Sequence, residues 1–234
     1  LYFPPRMQLR RRCLSEFLAT FILLFAGTGA MIANDVSHGA VTHVGICLSW
    51  GLVVLAMIYT VGEISGAHMN PAVTLGFWIS RRFAGREILP YVASQCLGAL
   101  AASGLLRLLF PAHENLGGTQ PSGAVLQSFV YETVLTFILM FVILNVSTGS
   151  KKKGITAGIV VGAVISFEAL SSGQISGSSM NPARSLGPAL VSGQLQNLWL
   201  YLTAPILGAA LAVGAYHAIE ADEFGSTHFE EKPK

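Results

Sequence analysis

Residues 64–76 read ISGAHMNPAVTLG, and residues 175–187 read ISGSSMNPARSLG. Nine of the thirteen letters agree. Each copy is a polar, glycine-containing phrase that ends in Asn-Pro and interrupts apolar sequence. Asparagine before proline starts a helix well. The asparagine caps the first turn, and proline takes the position whose N–H would lack a helical partner anyway. Asn70 with Pro71, and Asn181 with Pro182, are therefore expected to open two helices. The apolar runs that follow, roughly 70–80 and 181–191, are about ten residues each. At about 1.5 Å per residue, such a run reaches only half-way across a hydrocarbon core ~30 Å thick.

Composition says why membrane thickness is the relevant scale. Hydrophobic residues make up 52% of the 234-residue chain and charged residues only 11%, against about 25% charged in soluble domains. Six longer apolar stretches, roughly 13–34, 41–62, 87–110, 124–147, 154–173 and 195–219, are each long enough to span a bilayer. The expected fold is an all-α membrane protein with six transmembrane helices plus two re-entrant half-helices. No secretory signal with a cleavage site precedes the first span, and LYFPP at 1–5 reads as a cloning remnant.

Basic residues orient the spans. Arg6, Arg10, Arg11 and Arg12 precede span one, and Arg81, Arg82 and Arg86 follow the first half-helix. Lys151, Lys152 and Lys153 separate spans four and five, and Lys232 and Lys234 lie in the tail. All fall on one side if both termini are cytoplasmic; an integral protein, of the plasma (inner) membrane, is expected. Residues 1–12 then form a cytoplasmic N-terminal segment, 13–219 a single channel-like domain, and 220–234 a cytoplasmic tail. The lysine run and the acidic tail stand as candidate gates by position alone.

The repetition extends beyond the opening phrase. Glu16-Phe-Leu-Ala-Thr20-Phe-Ile-Leu in span one answers Glu132-Thr-Val-Leu-Thr136-Phe-Ile-Leu in span four, and YVASQCLGA at 91–99 answers YLTAPILGA at 201–209. Repeat one covers about 13–110 and repeat two about 124–219. Each holds three full spans, an odd number, so the copies insert with opposite orientation. Inverted repeats place special sites near the midplane where the copies meet. The two half-helices then approach each other by their amino ends. Each end carries about half a positive elementary charge, and each asparagine offers carboxamide donors. Such a point accepts oxygen lone pairs and repels cations, hydronium included. Non-helical backbone at that depth, Ile64 to Met69 and Ile175 to Met180, must line protein or a water-filled path. Arg184, where the first copy has Val73, is a charge at depth: it faces a water-filled cavity or is neutralised in a structural ion pair.

These features together closely resemble the aquaporin and aquaglyceroporin family, the major intrinsic proteins, from about Leu14 to His217. The resemblance rests on the two Asn-Pro-Ala boxes (Asn70, Pro71, Ala72; Asn181, Pro182, Ala183), the twin Glu-x-x-x-Thr-Phe segments and the tetrapeptide NPAR. It implies a pore in each subunit of a homotetramer, with the two boxes at a central constriction. It also implies a selectivity filter at Trp50, Ala169, Ser178 and Arg184. Read on its own, Trp50 is a packing or interface aromatic; the resemblance makes it the apolar wall of the filter. Water-selective members have histidine where this chain has Ala169, so the opening here is expected to be wider and less polar. Ser178 stands where some mercury-sensitive members have cysteine, so inhibition by that route is not expected. The resemblance further puts His68 along the pore, with a packing histidine as the alternative, and makes Glu16 and Glu132 supports of the re-entrant loops.

Ser185 follows Arg184 where glycerol facilitators commonly have aspartate. With Phe110, Ala189, Tyr201 and Leu202 it looks most like the nodulin-like intrinsic proteins and their bacterial relatives. That implies passage of water, glycerol, urea and hydroxylated metalloids such as boric, silicic or arsenous acid; a mainly water-selective pore is the alternative. Glu168 is read either as tuning the outer vestibule or as tied up structurally.

Other classes fit less well. The sequence offers no nucleophile–base pair and no metal-ligand constellation, so neither an enzyme nor a bound metal or cofactor is expected. Cys13, Cys47 and Cys96 read as reduced packing residues. A net charge of +2 gives no basic face for nucleic acid. An ion-coupled transporter shares inverted repeats, but converging amino ends disfavour the coupling cation. A poorly conducting structural membrane protein remains as a further class. The expected partners are water, small neutral solutes and membrane lipid.

Overall fold

The structure, a computed structural model, describes residues 7–147 and 151–225, the side chains of 151–155 and 220–225 excepted. The readings placed on residues 1–5, Arg6, the lysine side chains of 151–153 and the tail from 226 lie outside the described residues. Eight α-helices follow in order: α1 (Leu9–Val36), α2 (Thr42–Ser65), α3 (Pro71–Ile79), α4 (Ile88–Leu109), α5 (Val125–Val146), α6 (Lys151–Ser172), α7 (Pro182–Ser192) and α8 (Leu198–Gly225). No strand occurs among the described residues. Five helices, α1, α2, α4, α5 and α8, are long and apolar enough to cross a membrane, and the described apolar part of α6 is Thr156–Ser172. Helices α3 and α7 are the two short ones, nine and eleven residues. Outward-facing leucines such as Leu14, Leu18, Leu97 and Leu108 stay exposed, as lipid-facing side chains do.

The first helix starts at Leu9, four residues earlier than its apolar run, so Arg10, Arg11 and Arg12 are helical. Arginine is a good helix former, and Arg12 has partners: its Nη1 donates to Glu87 at 2.7 Å, and its guanidinium lies 5.1 Å from the centre of the Tyr91 ring. Helix α2 runs on to Ser65, so the first non-helical stretch begins at Gly66 rather than Ile64.

Packing follows the repeat. Helix α1 lies against α4, and α5 against α8, the equivalent pair. Both contacts close through a glycine. A Cβ on Gly98 would meet the carbonyl of Phe17, and one on Gly208 would meet the carbonyl of Thr133. Small residues let membrane helices approach to backbone distance in this way. The half-helices cross between repeats. Helix α3 packs mainly on α8 of the second repeat and α7 mainly on α4 of the first, so neither repeat is closed by its own half-helix alone.

Candidate functional site

The site is built from the two helix starts. Asn70 and Asn181 are extended N-caps with Pro71 and Pro182 at the first helical positions. The Asn70 side-chain oxygen accepts from Ala72 N at 2.8 Å, and that of Asn181 accepts from Ala183 N at 3.0 Å and Arg184 N at 3.3 Å. Their amide nitrogens reach across: Asn70 Nδ2 donates to the Met180 carbonyl at 2.7 Å, and Asn181 Nδ2 to the Met69 carbonyl at 2.8 Å. The helix starts are therefore locked face to face by a reciprocal pair of bonds.

The segments before them are left-handed at three residues each: Gly66, Ala67 and Met69 in one copy, Gly177, Ser178 and Met180 in the other. Positive φ strains a residue with a side chain, so the backbone must be held in place. Two buried carboxylates hold it. Glu16 accepts from His68 N (2.9 Å) and Met69 N (2.7 Å), and Glu132 accepts from Ser179 N (2.9 Å) and Met180 N (2.7 Å). Both glutamates are fully buried. Tyr91 donates to the Ser65 carbonyl at 2.9 Å, and Tyr201 donates to the Ser176 carbonyl at 2.6 Å. The sequence reading passed over Tyr91, although its place opposite Tyr201 in the repeat marks it.

Both copies line a single narrow cavity of about 90 Å³. Trp50, Ala169, Ser178 and Arg184, from α2, α6, the second loop and α7, all border it, as do His68, Asn70 and Asn181. Pro71, Ala72, Pro182 and Ala183 do not. Ala72 and Ala183 are fully buried in apolar packing. Of the two boxes, only the asparagines present side chains to the cavity.

Arg184 is 3% exposed. Its Nη1 donates to the Gly117 carbonyl at 2.8 Å and its Nη2 to the sulfur of Met31 at 3.3 Å. Its guanidinium carbon lies 4.7 Å from the centre of the Trp50 ring. No described carboxylate forms an ion pair with it, and Arg184 borders the cavity. Trp50 in turn lies flat against Gly27, where any Cβ would collide with the indole. Gly117 has φ +68, and a Cβ there would stand 3.0 Å from Thr28 Cβ. Gly117 was not legible as Arg184's partner, because the α4–α5 loop has no copy in the repeat.

Other hydroxyls are committed within the protein. Ser178 Oγ pairs with Ser172 Oγ at 2.7 Å and reaches the Glu168 carbonyl at 3.3 Å. Ser185 Oγ accepts from Thr119 Oγ1 at 2.7 Å and meets Ser179 Oγ at 2.6 Å. His68 has a defined tautomer. Thr74 gives its single hydroxyl proton to the Asn70 carbonyl at 3.0 Å, so its 3.0 Å contact with His68 Nδ1 requires the ring N–H to donate. Nε2 is left as a bare acceptor on a ring that borders the cavity. Glu168 is fully buried and is not among the residues bordering the cavity, and neither of its carboxyl oxygens has a hydrogen-bond partner among the described residues.

The profile of the family described as "Major intrinsic protein" matches residues 5–216. Among curated relatives, Aquaporin NIP1-1 of Zea mays is 48% identical over 210 residues, covering 89% of this chain and 74% of its own. Nodulin-26 of Glycine max is 43% identical over 210 residues, covering 89% and 78% respectively. Among solved structures, the aquaglyceroporin from Plasmodium falciparum superposes with a TM-score of 0.83 at 28% identity, covering 93% of this chain and 99% of that one.

Proposed function

The chain belongs to the major intrinsic protein family and is an integral membrane channel for water and small solutes, not an enzyme; from that premise we propose what it selects and how. Trp50, Ala169, Ser178 and Arg184 form the filter, and the asparagine pair forms a second constriction. The observation that carries this reading is the posture of Arg184. Its charge is held to one wall by Gly117, Met31 and the Trp50 ring, and Ala169 leaves the filter without a bulky polar side chain. The permeants are water, glycerol, urea and uncharged hydroxylated metalloids. Likeness to a structure titled an aquaglyceroporin and to nodulin-like relatives supports the wider opening.

Ions are excluded in two places. At the filter, the buried guanidinium repels cations. At the asparagines, two helix amino ends supply partial positive charge. Each carboxamide has spent one N–H on the opposite loop, leaving the other for a passing oxygen. A water that accepts from both asparagines cannot relay a proton along the file. His68 Nε2 and the loop carbonyls offer the acceptors on either side.

The channel works as a homotetramer in the plasma (inner) membrane with both termini cytoplasmic. Stopped-flow light scattering on proteoliposomes, comparing water, glycerol, urea and boric acid, tests the selectivity. Glycerol and boric acid flux above empty vesicles, independent of proton or sodium gradients, is expected. Water flux alone sinks the wider-filter reading, and strict ion coupling sinks the channel mechanism.

A further inference from the structure

The brace on Arg184 comes from the α4–α5 loop, and that loop turns on a titratable side chain. His113 Nε2 lies 3.2 Å from Asp35 Oδ2 at the end of α1, and His113 Nδ1 lies 3.1 Å from the backbone nitrogen of Leu116. Leu116 N can only donate, so Nδ1 must be the unprotonated, accepting nitrogen. Nε2 then carries the proton and donates to Asp35. The neutral ring is thus fully satisfied in one tautomer. A second proton would place an N–H on Nδ1 directly against the Leu116 N–H, donor facing donor, and that bond would be lost.

The bond holds a strained place. Leu116 has φ +52, unfavourable for a residue with a side chain, and Gly117 follows at +68. The Leu116 side chain is anchored among Ile32 and Leu106, and Gly117 N donates to Asn115 Oδ1 at 3.1 Å. The next peptide oxygen, that of Gly117, is the one Arg184 Nη1 grips. The charged groups facing His113 among the described residues are Asp35 from α1, Glu114 from the loop and Arg107 from α4. Arg107 Nη1 donates to the His113 carbonyl at 2.6 Å and to the Pro111 carbonyl at 3.1 Å, holding the backbone rather than the ring. Asp35, 59% exposed, welcomes an imidazolium without needing to move.

We propose that His113 is a positioning residue for Arg184, a latch that acid opens: protonation breaks the Leu116 bond, releases the Gly117 carbonyl, and lets the guanidinium swing across the opening. This rests on the reading of Arg184 as a filter residue. Neutral pH holds the latch closed and the pore open, and flux falls as pH drops.

The test is water flux in proteoliposomes with equal pH on both sides, so insertion direction is immaterial, between about pH 8 and about pH 5. Wild type should lose flux across the range by a factor of up to about five, the change in the latch equilibrium carried by one net hydrogen bond. His113→Asn keeps an acceptor for Leu116 N–H but cannot titrate, so its flux should stay near the wild-type value at pH 8 and remain flat. A flat or rising wild-type response, or a His113→Asn variant that falls like wild type, overturns the proposal. If His113→Asn does not reconstitute, His113→Gln takes its place, and a flux that falls with pH like wild type overturns the proposal. The solute panel at pH 8 tests the filter reading separately, so the two cannot fail indistinguishably.

Discussion

The guanidinium of Arg184 rests over the face of Trp50, 4.7 Å from the ring centre, while Ala169 borders the same cavity with nothing larger than a methyl group. Charge and aromatic wall act as one unit here. Trp50 backs one face of the guanidinium, and Gly27 leaves Trp50 the space to lie flat.

Refilling that space should narrow the pore. In Ala169→His combined with Trp50→Phe, the imidazole adds bulk and a donor beside Arg184. Glycerol and boric acid flux should fall about tenfold, a barrier increase near 1.4 kcal/mol, with water flux largely kept. Stopped-flow scattering reads both, and unchanged solute flux would refute the assignment of these positions.

Removing the charge should loosen ion exclusion. Arg184→Ala leaves the Gly117 carbonyl without its donor and deletes a buried positive charge. Proton leak should rise on the order of tenfold or more, from the few kcal/mol an uncompensated charged hydrogen bond is worth. A pH-sensitive dye inside vesicles measures this, and a leak equal to wild type would show the charge to be dispensable.

The carboxylate supports should be stability residues. Glu132→Leu strands the Ser179 and Met180 amides and the Ser176 hydroxyl in a buried site. Each unsatisfied donor costs about 1–3 kcal/mol, so the folded yield and the Tm in detergent should drop sharply. Glu168→Gln, by contrast, disturbs no hydrogen bond of the described structure and should fold normally. A Tm unmoved by Glu132→Leu contradicts the support role.

Gly117→Ala should affect conduction and stability together, because φ +68 and the neighbouring Thr28 both oppose a Cβ. A loss of about 1–3 kcal/mol is expected from the strained backbone. Gly104→Ala, helical and facing open space, should be neutral or slightly stabilising. Equal thermal shifts in the two variants would contradict this account of Gly117.

Much of this was legible in the sequence because the repeat writes it twice. Asn70 and Asn181 mark helix starts by local chemistry, and Glu16 and Glu132 stand at matching places in matching spans. What stayed hidden has no second copy or no sequence signal. The loop carrying His113, Leu116 and Gly117 shows neither periodicity nor repetition, so its grip on Arg184 is a matter of tertiary contact alone. Ala67, Met69, Ser178 and Met180 are left-handed without being glycine, because Glu16 and Glu132 override local preference. Helix α1 began early because Arg12 finds Glu87 seventy-five residues away, beyond any local pattern.

The crossed bonds of Asn70 and Asn181 bear on ancestry as well as permeation. Each half of the chain ends its re-entrant loop on a carbonyl that only the other half provides, and each short helix beds mainly on the other half's last span. A half-length forebear could meet those needs only by pairing with a twin inserted upside down. Such a chain would have to enter the bilayer both ways round, and carrying both halves in one chain removes that requirement by fixing one orientation for each.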